Sequence, residues 1–254
     1  MPLPRPVYFF TDFGPGSPYM GLMHAALAAC SRQLQPNHPL PRSIELCATV
    51  APCAVRPAAY LLAALVDHIE EDAVVVAVVD PGVGTARGAV VLEVLHRTFV
   101  GPDNGLLARC AAAAPTARWF RLDPPPTLSA SFHGRDWFTP AAAHLAYGLQ
   151  PAMQPCAAAT IHGLDWPAQL AEVIHVDHYG NVITGLPAQG LSSNTRVQAG
   201  KHRLGWARTF GEVPHHGAFW YANSLGLVEL AVNGGRADQQ LQLALGDAVT
   251  LLTS

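Results

Sequence analysis

The run Ala73-Val74-Val75-Val76-Ala77-Val78-Val79 is seven apolar residues long, with no polar position on either face. A half-solvated strand alternates apolar and polar residues, so an unbroken run reads as a strand covered on both faces. Such strands belong to α/β layers, in which helices cover a parallel sheet. The run stops at Asp80-Pro81-Gly82-Val83-Gly84-Thr85-Ala86-Arg87-Gly88, a glycine-rich loop that carries both an acid and a base. A dinucleotide-binding loop needs G-x-G-x-x-G opening a helix, so that N–H groups at the helix start meet a pyrophosphate. Here the spacing is G-x-G-x-x-x-G, and Ala89 to Leu95 alternate like a strand. The segment reads as strand, tight loop, strand, and that context excludes a phosphate role.

The flanking patterns fit the same class. Val7 to Asp12 is a short apolar strand ending in a loop rich in Gly and Pro, and Ser43 to Val50 is a second strand. Tyr19 to Leu34 places Leu22, Met23, Ala26, Leu27, Cys30 and Leu34 at helical spacing. Val55 to Glu70 reads as a helix with Pro57 in its first turn, and Leu106 to Ala114 as an alanine-rich helix. A last helix over Thr139 to Leu149 has Thr139 as its N-cap and Pro140 at its first position. The alternation predicts an α/β domain over residues 1–160 with a largely parallel sheet. From about Glu172 the texture changes to short β-patterned runs punctuated by Gly and Asn. Residues 171–254 are therefore expected to form a smaller, all-β, barrel-like domain, with the Pro- and Ala-rich stretch 151–170 as a linker.

Composition narrows the function classes. Only 13% of the 254 residues are charged, the formal net charge is −3, and no basic run is visible, which argues against a nucleic-acid partner. No uninterrupted apolar stretch reaches membrane-spanning length, and Met1 to Gly14 lacks the apolar core of a signal peptide. The five cysteines are odd in number and form no C-x-x-C pair, so they read as thiols in a reducing compartment. A soluble cytoplasmic protein with no membrane partner is expected.

Polar residues collect at the ends of apolar strands, the usual place for sites in open α/β sheets. The clusters are Thr11 to Gly14, Asp80 to Arg87, Gly101 to Gly105 and Ser131 to Asp136, with a fifth at Asp177 to Asn181 in the β domain. Each has a plainer reading. Gly101-Pro102-Asp103-Asn104-Gly105 reads foremost as turn chemistry, in which Asx side chains bond their own backbone. Asp12-Phe13-Gly14 matches the kinase magnesium motif, but the kinase companions are absent. His133 is one of twelve histidines and shares its loop with Arg135 and Asp136. No H-x-x-x-H or H-E-x-x-H spacing falls on an expected helix, so no metal site is assigned.

Together the loops are specific. The segments YFFTDFG, VVDPGVGTAR, FVGPDNGLL, SFHGRDWFTPAAAHLA, DHYGNVITG and NSLGLVELAVNGG follow in this order over nearly the whole chain. In them the sequence resembles the adenosine-forming S-adenosyl-L-methionine (SAM) hydrolases, or SAM hydroxide adenosyltransferases, relatives of the fluorinase and chlorinase enzymes. The resemblance implies an α/β domain followed by a barrel-like domain, a homotrimer, and hydrolysis of SAM to adenosine and L-methionine without a cofactor or metal. It also implies that Asp80, Arg87 and His133 are the catalytic residues. Substrate-binding roles pass by the same resemblance to Asp12 at the ribose diol and to Asp177, Asn181, Ser224, Glu229 and Val232 in the β domain. Stacking on the purine is open to Phe219, Trp220 or Tyr221, against simple core packing. In the halogenating relatives the positions of Asp80 and His133 hold Tyr and that of Gly134 holds a halide-binding Ser, which sets this sequence on the hydrolase branch. It departs from the family pattern at Glu45-Leu46-Cys47-Ala48, where Asp-x-x-His is usual, at Gly185 in place of Asn, and at Tyr179 in place of Phe.

The sulfonium of SAM is already a good leaving group, so the chemical difficulty lies in the water. Alignment of water with C5′ opposite the sulfur is worth roughly 7 to 11 kcal/mol at best. The permanent charge of Arg87 favours hydroxide character, His133 has an ordinary pKa suited to taking a proton, and Asp80 can orient Arg87 and bond the water or a ribose hydroxyl, so the sequence leaves the proton acceptor open. Two other functions fit the same motifs: a SAM-dependent halogenase and a non-catalytic SAM- or adenosine-binding protein.

Overall fold

The computed structural model describes residues 2–112, 114 and 116–252. Met1, Ala113, Pro115, Thr253 and Ser254 lie outside them, and with them one residue of the expected 106–114 helix and the end of the last β-run. The chain divides at Trp166 and Pro167 into two compact units.

In the first unit the apolar run becomes β3 (Val74–Val78), buried at every residue. It lies between β1 (Val7–Thr11) and β5 (Arg97–Pro102), parallel to both, and β2 (Ser43–Cys47) adds parallel to β1. Beyond β5 the sheet changes character. Strands β4 (Ala89–Val94), β6 (Arg118–Leu122) and β7 (Met153–Cys156) pair antiparallel, giving the order β2-β1-β3-β5-β4-β6-β7. The sheet is thus mixed, which corrects the expectation of a largely parallel one. The cause is the connection between β4 and β5, which consists of Leu95 and His96 alone, at φ 49° and 59°. A two-residue connection can only reverse the chain. Part of the expected linker is structure as well, because Met153–Cys156 forms the sheet's edge strand on β6.

Helices cover the sheet as the apolar periodicity requires. In α1 (Pro18–Leu34) the Ser17 hydroxyl caps the helix by accepting from the Tyr19 N–H, and Met20, Met23 and Leu27 face inward. They pack with Ala141 and Ala142 of α4 (Thr139–Ala146) against Phe9, Val76 and Val78 of the sheet. Helix α2 (Val55–Leu65) runs on into a tight turn at Val66–His68, and α3 (Ala108–Ala111) is one short turn. Thr139 is not an N-cap. A π-helical turn, Gly134–Phe138, runs directly into α4, so residue 138 is already helical and the buried Thr139 hydroxyl turns to Met23 Sδ at 3.5 Å.

The second unit is a seven-stranded sheet of β8 (Leu170–Val176), β9 (Val182–Pro187), β10 (Arg196–Ala199), β11 (His202–Trp206), β12 (Ala218–Ala222), β13 (Leu227–Val232) and β14 (Val249–Leu252), in the order β14-β10-β11-β12-β13-β9-β8. All pairs are antiparallel except β11 with β12. The two edges approach each other. Val173 exchanges hydrogen bonds with Asp247 and Gly246 at 2.9 Å each, and Glu172 bridges to Ala248, so the sheet nearly closes into a barrel. Trp220, Val182, Leu230 and Val249 fill its core, and the short helix α5 (Ala237–Gln240) adds Ala237.

Gly185 shows why the family's Asn is absent at this position. A Cβ there would stand 2.7 Å from the Leu170 carbonyl oxygen, closer than a side chain tolerates. Gly101 of β5 is under the same kind of constraint, since a Cβ would lie 2.6 Å from the Ala77 carbonyl of β3. Gly101→Ala must therefore push the two central strands apart. Urea unfolding should show a loss of about 1–3 kcal/mol, the usual cost of overpacking.

Candidate active site

The carboxyl ends of β1, β3 and β5 lie side by side, because these three strands are adjacent and parallel. Asp12 follows β1, Asp80 follows β3, and Asp103-Asn104 follows β5, so one sheet edge carries all of them. Strand β4 runs the other way and starts at this same edge, which brings Arg87 back beside Asp80. His133 comes from the start of the π-helical turn that leads into α4.

The structure joins these three residues directly. Arg87 Nη2 donates to Asp80 Oδ2 at 2.5 Å and to His133 Nδ1 at 2.8 Å, and Nη1 donates to the Gly88 carbonyl at 2.6 Å. The side chains of Arg87 and Asp80 are 9% and 5% exposed, and His133 is 4% exposed. The guanidinium also lies 5.5 Å from the ring centroid of Phe138 and 6.0 Å from that of Trp137, within cation–π range. Two polar atoms of the group, Asp80 Oδ1 and Arg87 Nε, are buried without a hydrogen-bond partner among the described residues. The Gly82 backbone N–H lies on the same carboxylate and lowers its pKa, against the larger effect of burial. A cleft of about 470 Å³ reaches Arg87, His133 and Trp137, with Arg121 also on its wall.

Burial pushes the Asp80 carboxyl above the ordinary carboxylate range, against the opposing pull of Arg87. Burial, and after it the charge of Arg87, hold His133 below the ordinary histidine value. The ring is therefore neutral at neutral pH. Arginine can only donate, so Nδ1 is the accepting nitrogen and the ring proton sits on Nε2.

The remaining expected residue of this unit, Asp12, accepts the backbone N–H of Cys53 at 2.8 Å through Oδ2. Cys53 itself sits at φ 61°, a conformation uncommon for a side-chain-bearing residue.

In the second unit all five expected binding residues line one pocket of about 800 Å³: Asp177, Asn181, Ser224, Glu229 and Val232. The Asp177 carboxylate accepts the Asn181 backbone N–H at 2.8 Å and its amide Nδ2 at 3.0 Å, which fixes both side chains in the loop joining β8 to β9. Glu229 is 5% exposed and accepts from the Tyr221 hydroxyl and from Asn223 Nδ2, the latter at 2.9 Å. Burial raises its pKa, with these hydrogen bonds opposing. Among the three candidate stacking aromatics only Tyr221 lines the pocket. Phe219 and Trp220 are 2% and 1% exposed and belong to the packing of the barrel, where Trp220 Nε1 donates to the Thr195 carbonyl.

Some site residues escaped the sequence reading. Phe210 and Asn223 also line the pocket of the second unit. Asn223 stands in the quoted NSLG segment and was open to recognition there, whereas nothing in the pattern around Phe210 marks it. In the first unit Asp103 is not simply a turn residue. It is 3% exposed and ion-paired with Arg121 through Oδ2. Its neighbour does make the expected turn, Asn104 Oδ1 accepting the Leu106 N–H at 3.2 Å.

Residues 7–155 match the model of the SAM hydroxide adenosyltransferase N-terminal domain, and residues 171–250 match that of the C-terminal domain. A Thermus thermophilus protein named (R)-S-adenosyl-L-methionine hydrolase is 41% identical over 270 residues, covering 98% of this chain and 100% of that protein. A protein of the same name from Salinispora arenicola is 39% identical, with 95% of each chain covered. Among solved structures, an uncharacterized conserved protein from Thermotoga maritima aligns over 97% of this chain and 100% of its own, with a TM-score of 0.83 at 30% identity. A conserved hypothetical protein from Thermus thermophilus aligns over 98% of this chain and 100% of its own, with a TM-score of 0.79 at 40% identity. No helix among the described residues is long and apolar enough to cross a membrane.

The depressed His133 pKa has a measurable consequence. A folded-state value below the unfolded value of 6.5 means that the neutral ring contributes stability above pH 6.5, which is lost as pH falls through the folded value. Urea unfolding between about pH 8 and pH 5 should therefore show wild type losing more stability than His133→Gln. The difference in slope is at most about 1.4 kcal/mol per pH unit. Parallel curves for the two proteins would contradict the assignment.

Proposed function

The chain belongs to the SAM hydroxide adenosyltransferase family, and from that premise we propose that it hydrolyses S-adenosyl-L-methionine to adenosine and L-methionine by attack of water on the ribose C5′. The observation that carries this reading is the buried group in which Arg87 bonds both Asp80 and His133.

In the proposed step the water proton passes to Asp80 Oδ1 while the water oxygen bonds C5′. The C5′–S bond breaks with its electron pair going to sulfur, which neutralises the sulfonium and releases methionine. A carboxylate with a raised pKa takes that proton more readily than an ordinary one. His133 serves as a donor in this scheme, because Arg87 occupies Nδ1 and the proton is on Nε2. The sequence leaves the proton acceptor open, and this scheme assigns the role to Asp80. Asp12 is assigned to the ribose diol. The pocket of Asp177, Asn181, Ser224, Glu229 and Val232 is assigned to the remainder of the substrate, with Tyr221 and Phe210 as the aromatic surfaces available to the purine. SAM is the substrate in this reading and no cofactor takes part. The name borne by the relatives specifies the (R) form, and we extend that preference to this chain.

Halogenation is the less favoured chemistry. Gly134 stands where the halogenating relatives hold a halide-binding Ser, and a Cβ there would come 3.1 Å from Met23 Sδ, tighter than most side-chain contacts. We assign the reaction to the cytoplasm, where the five free cysteines suit a reducing environment.

Incubation of the protein with each epimer of SAM in halide-free, oxygen-18-labelled water should give equal amounts of adenosine and methionine from the (R) form. The label should sit on the adenosine 5′-oxygen, and Asp80→Asn should lower kcat by about 10²–10⁴-fold with little change in KM. Label in methionine, or S-adenosylhomocysteine as product, would overturn the reading.

We further propose that the protein works as a homotrimer in which the triad of one subunit and the Asp177–Asn181 pocket of its neighbour serve one substrate, a head-to-tail arrangement that three-fold symmetry closes. Mixing inactive His133→Ala with binding-defective Asn181→Ala chains should then restore part of the activity. Absence of rescue after verified subunit exchange would mean that each chain builds its own site.

A further inference from the structure

The loop from Asp80 to Gly88 crosses the end of β5, because β5 lies between β3 and β4 in the sheet. The two residues leaving β5 hold both feet of that loop. Asn104 Nδ2 donates to the Val79 carbonyl at 2.9 Å, just before Asp80. The Asp103 backbone N–H donates to the Gly88 carbonyl at 3.0 Å, just after Arg87. That same Gly88 carbonyl accepts Arg87 Nη1.

The Asp103 side chain is what fixes this residue in place. Its carboxylate is 2% exposed and accepts Arg121 Nη1 on Oδ2 and the His162 backbone N–H on Oδ1 at 3.1 Å, with the exposed His162 ring nitrogen Nδ1 3.2 Å from the same oxygen. Arg121 also donates from Nη2 to the Thr160 carbonyl at 2.7 Å. Its Nη1 lies 3.1 Å from where a Cβ on Gly88 would stand, so the guanidinium borders the space that a side chain there would take. Gly88 itself is held by the Asp103 N–H on its carbonyl.

We infer that Asp103, with Arg121, is a positioning residue for the reaction: it sets the Gly88 carbonyl that aims the Arg87 guanidinium at Asp80 and His133. The inference rests on the catalytic role proposed for Arg87, but the geometry it invokes is measurable without turnover. An error of about 1 Å at a reacting group costs on the order of 100-fold in rate. The effect should fall on kcat, because Asp103 sits behind the loop.

The test compares Asp103→Asn, Arg121→Met, Arg121→Lys and Gly88→Ala in kcat, in KM for SAM and in the titration of the His133 ring by nitrogen-15 NMR without SAM. The charged groups acting on that ring are Arg87, Asp80 and Asp136. Asp103→Asn and Arg121→Met should each lower kcat roughly 10- to 100-fold, and for Asp103→Asn, which is off the cleft wall, KM should stay within about threefold. Both should move the His133 titration upward toward the ordinary histidine value as Arg87 departs. Arg121→Lys keeps a charge opposite Asp103 and should recover part of both effects. Gly88→Ala leaves every charge in place but presses on Arg121, so it carries the test if the charge-removing variants do not fold. Folded variants with unchanged kcat and an unchanged His133 titration would overturn the inference. A wild-type protein that leaves SAM intact would count against the hydrolase reading alone, since the NMR arm stands without substrate.

Discussion

A guanidinium cannot be taken out of water without partners, and the Arg87 side chain is 9% exposed. Burying it is tolerable because Asp80 supplies the opposite charge and Gly88 and His133 supply two further acceptors. That arrangement sets the properties of its neighbours. It binds Asp80 Oδ2, and burial together with the Arg87 charge holds His133 below the ordinary histidine value, with the ring proton on Nε2. A carboxylate, a fixed cation and a neutral donor ring are thus organised before any substrate arrives. Preorganisation of this kind is what makes electrostatic stabilisation effective, because no dipole has to turn during the reaction.

The mixed sheet makes this contact possible. A fully parallel β4 would begin at the far edge of the sheet, and the chain after Asp80 would need a long crossover to reach it. With β4 antiparallel, the loop leaves β3 and enters β4 at the same edge, so an acid and a base seven positions apart meet across it. The inversion depends on Leu95 and His96, which both adopt positive φ in the two-residue connection between β4 and β5. The intervening end of β5 then serves as a support beneath the loop. A remote hairpin therefore decides which residues meet at the proposed site.

The legible parts of the molecule are those where one physical signal dominates. The unbroken apolar run could only be a central strand, and β3 is buried throughout. Asp80, Arg87 and His133 were found through segments whose order is specific, and the structure puts them in direct contact. The five residues named in the β domain converge on one pocket. What was missed lacked a local signal. Leu95-His96 does not announce a reversal as Asn-Gly would, so the antiparallel half of the sheet went unseen. Strand β6 contains Arg118 and Arg121 within five residues, and its charged positions hid it. Asp103 looked like turn chemistry because its partners, Arg121 and His162, are distant in sequence. The π-helical turn before α4 has no sequence signature, so Thr139 was read as a cap when it lies inside a continuing helix.

The same packing bears on how readily the chemistry could change. Exchanging water for a halide as nucleophile is usually pictured as a change of the residues that touch it. Here the residue beside His133, Gly134, is enclosed by Met23 and Val78, and Met23 is itself a core residue of α1 that receives the Thr139 hydroxyl of α4. A serine at 134 would bring its Cβ to 3.1 Å from Met23 Sδ, so the end of that side chain would have to give by a few tenths of an ångström. Well-packed interiors resist added volume, typically at a cost of about 1–3 kcal/mol. Replacing Asp80 would meanwhile strip Arg87 of its counter-charge in a buried site, which is among the most destabilising single changes. The proposed hydrolytic chemistry is therefore held by the core as well as by the reacting groups. Conversion to another nucleophile would involve the packing of Met23 in α1 as well as the residues of the loop.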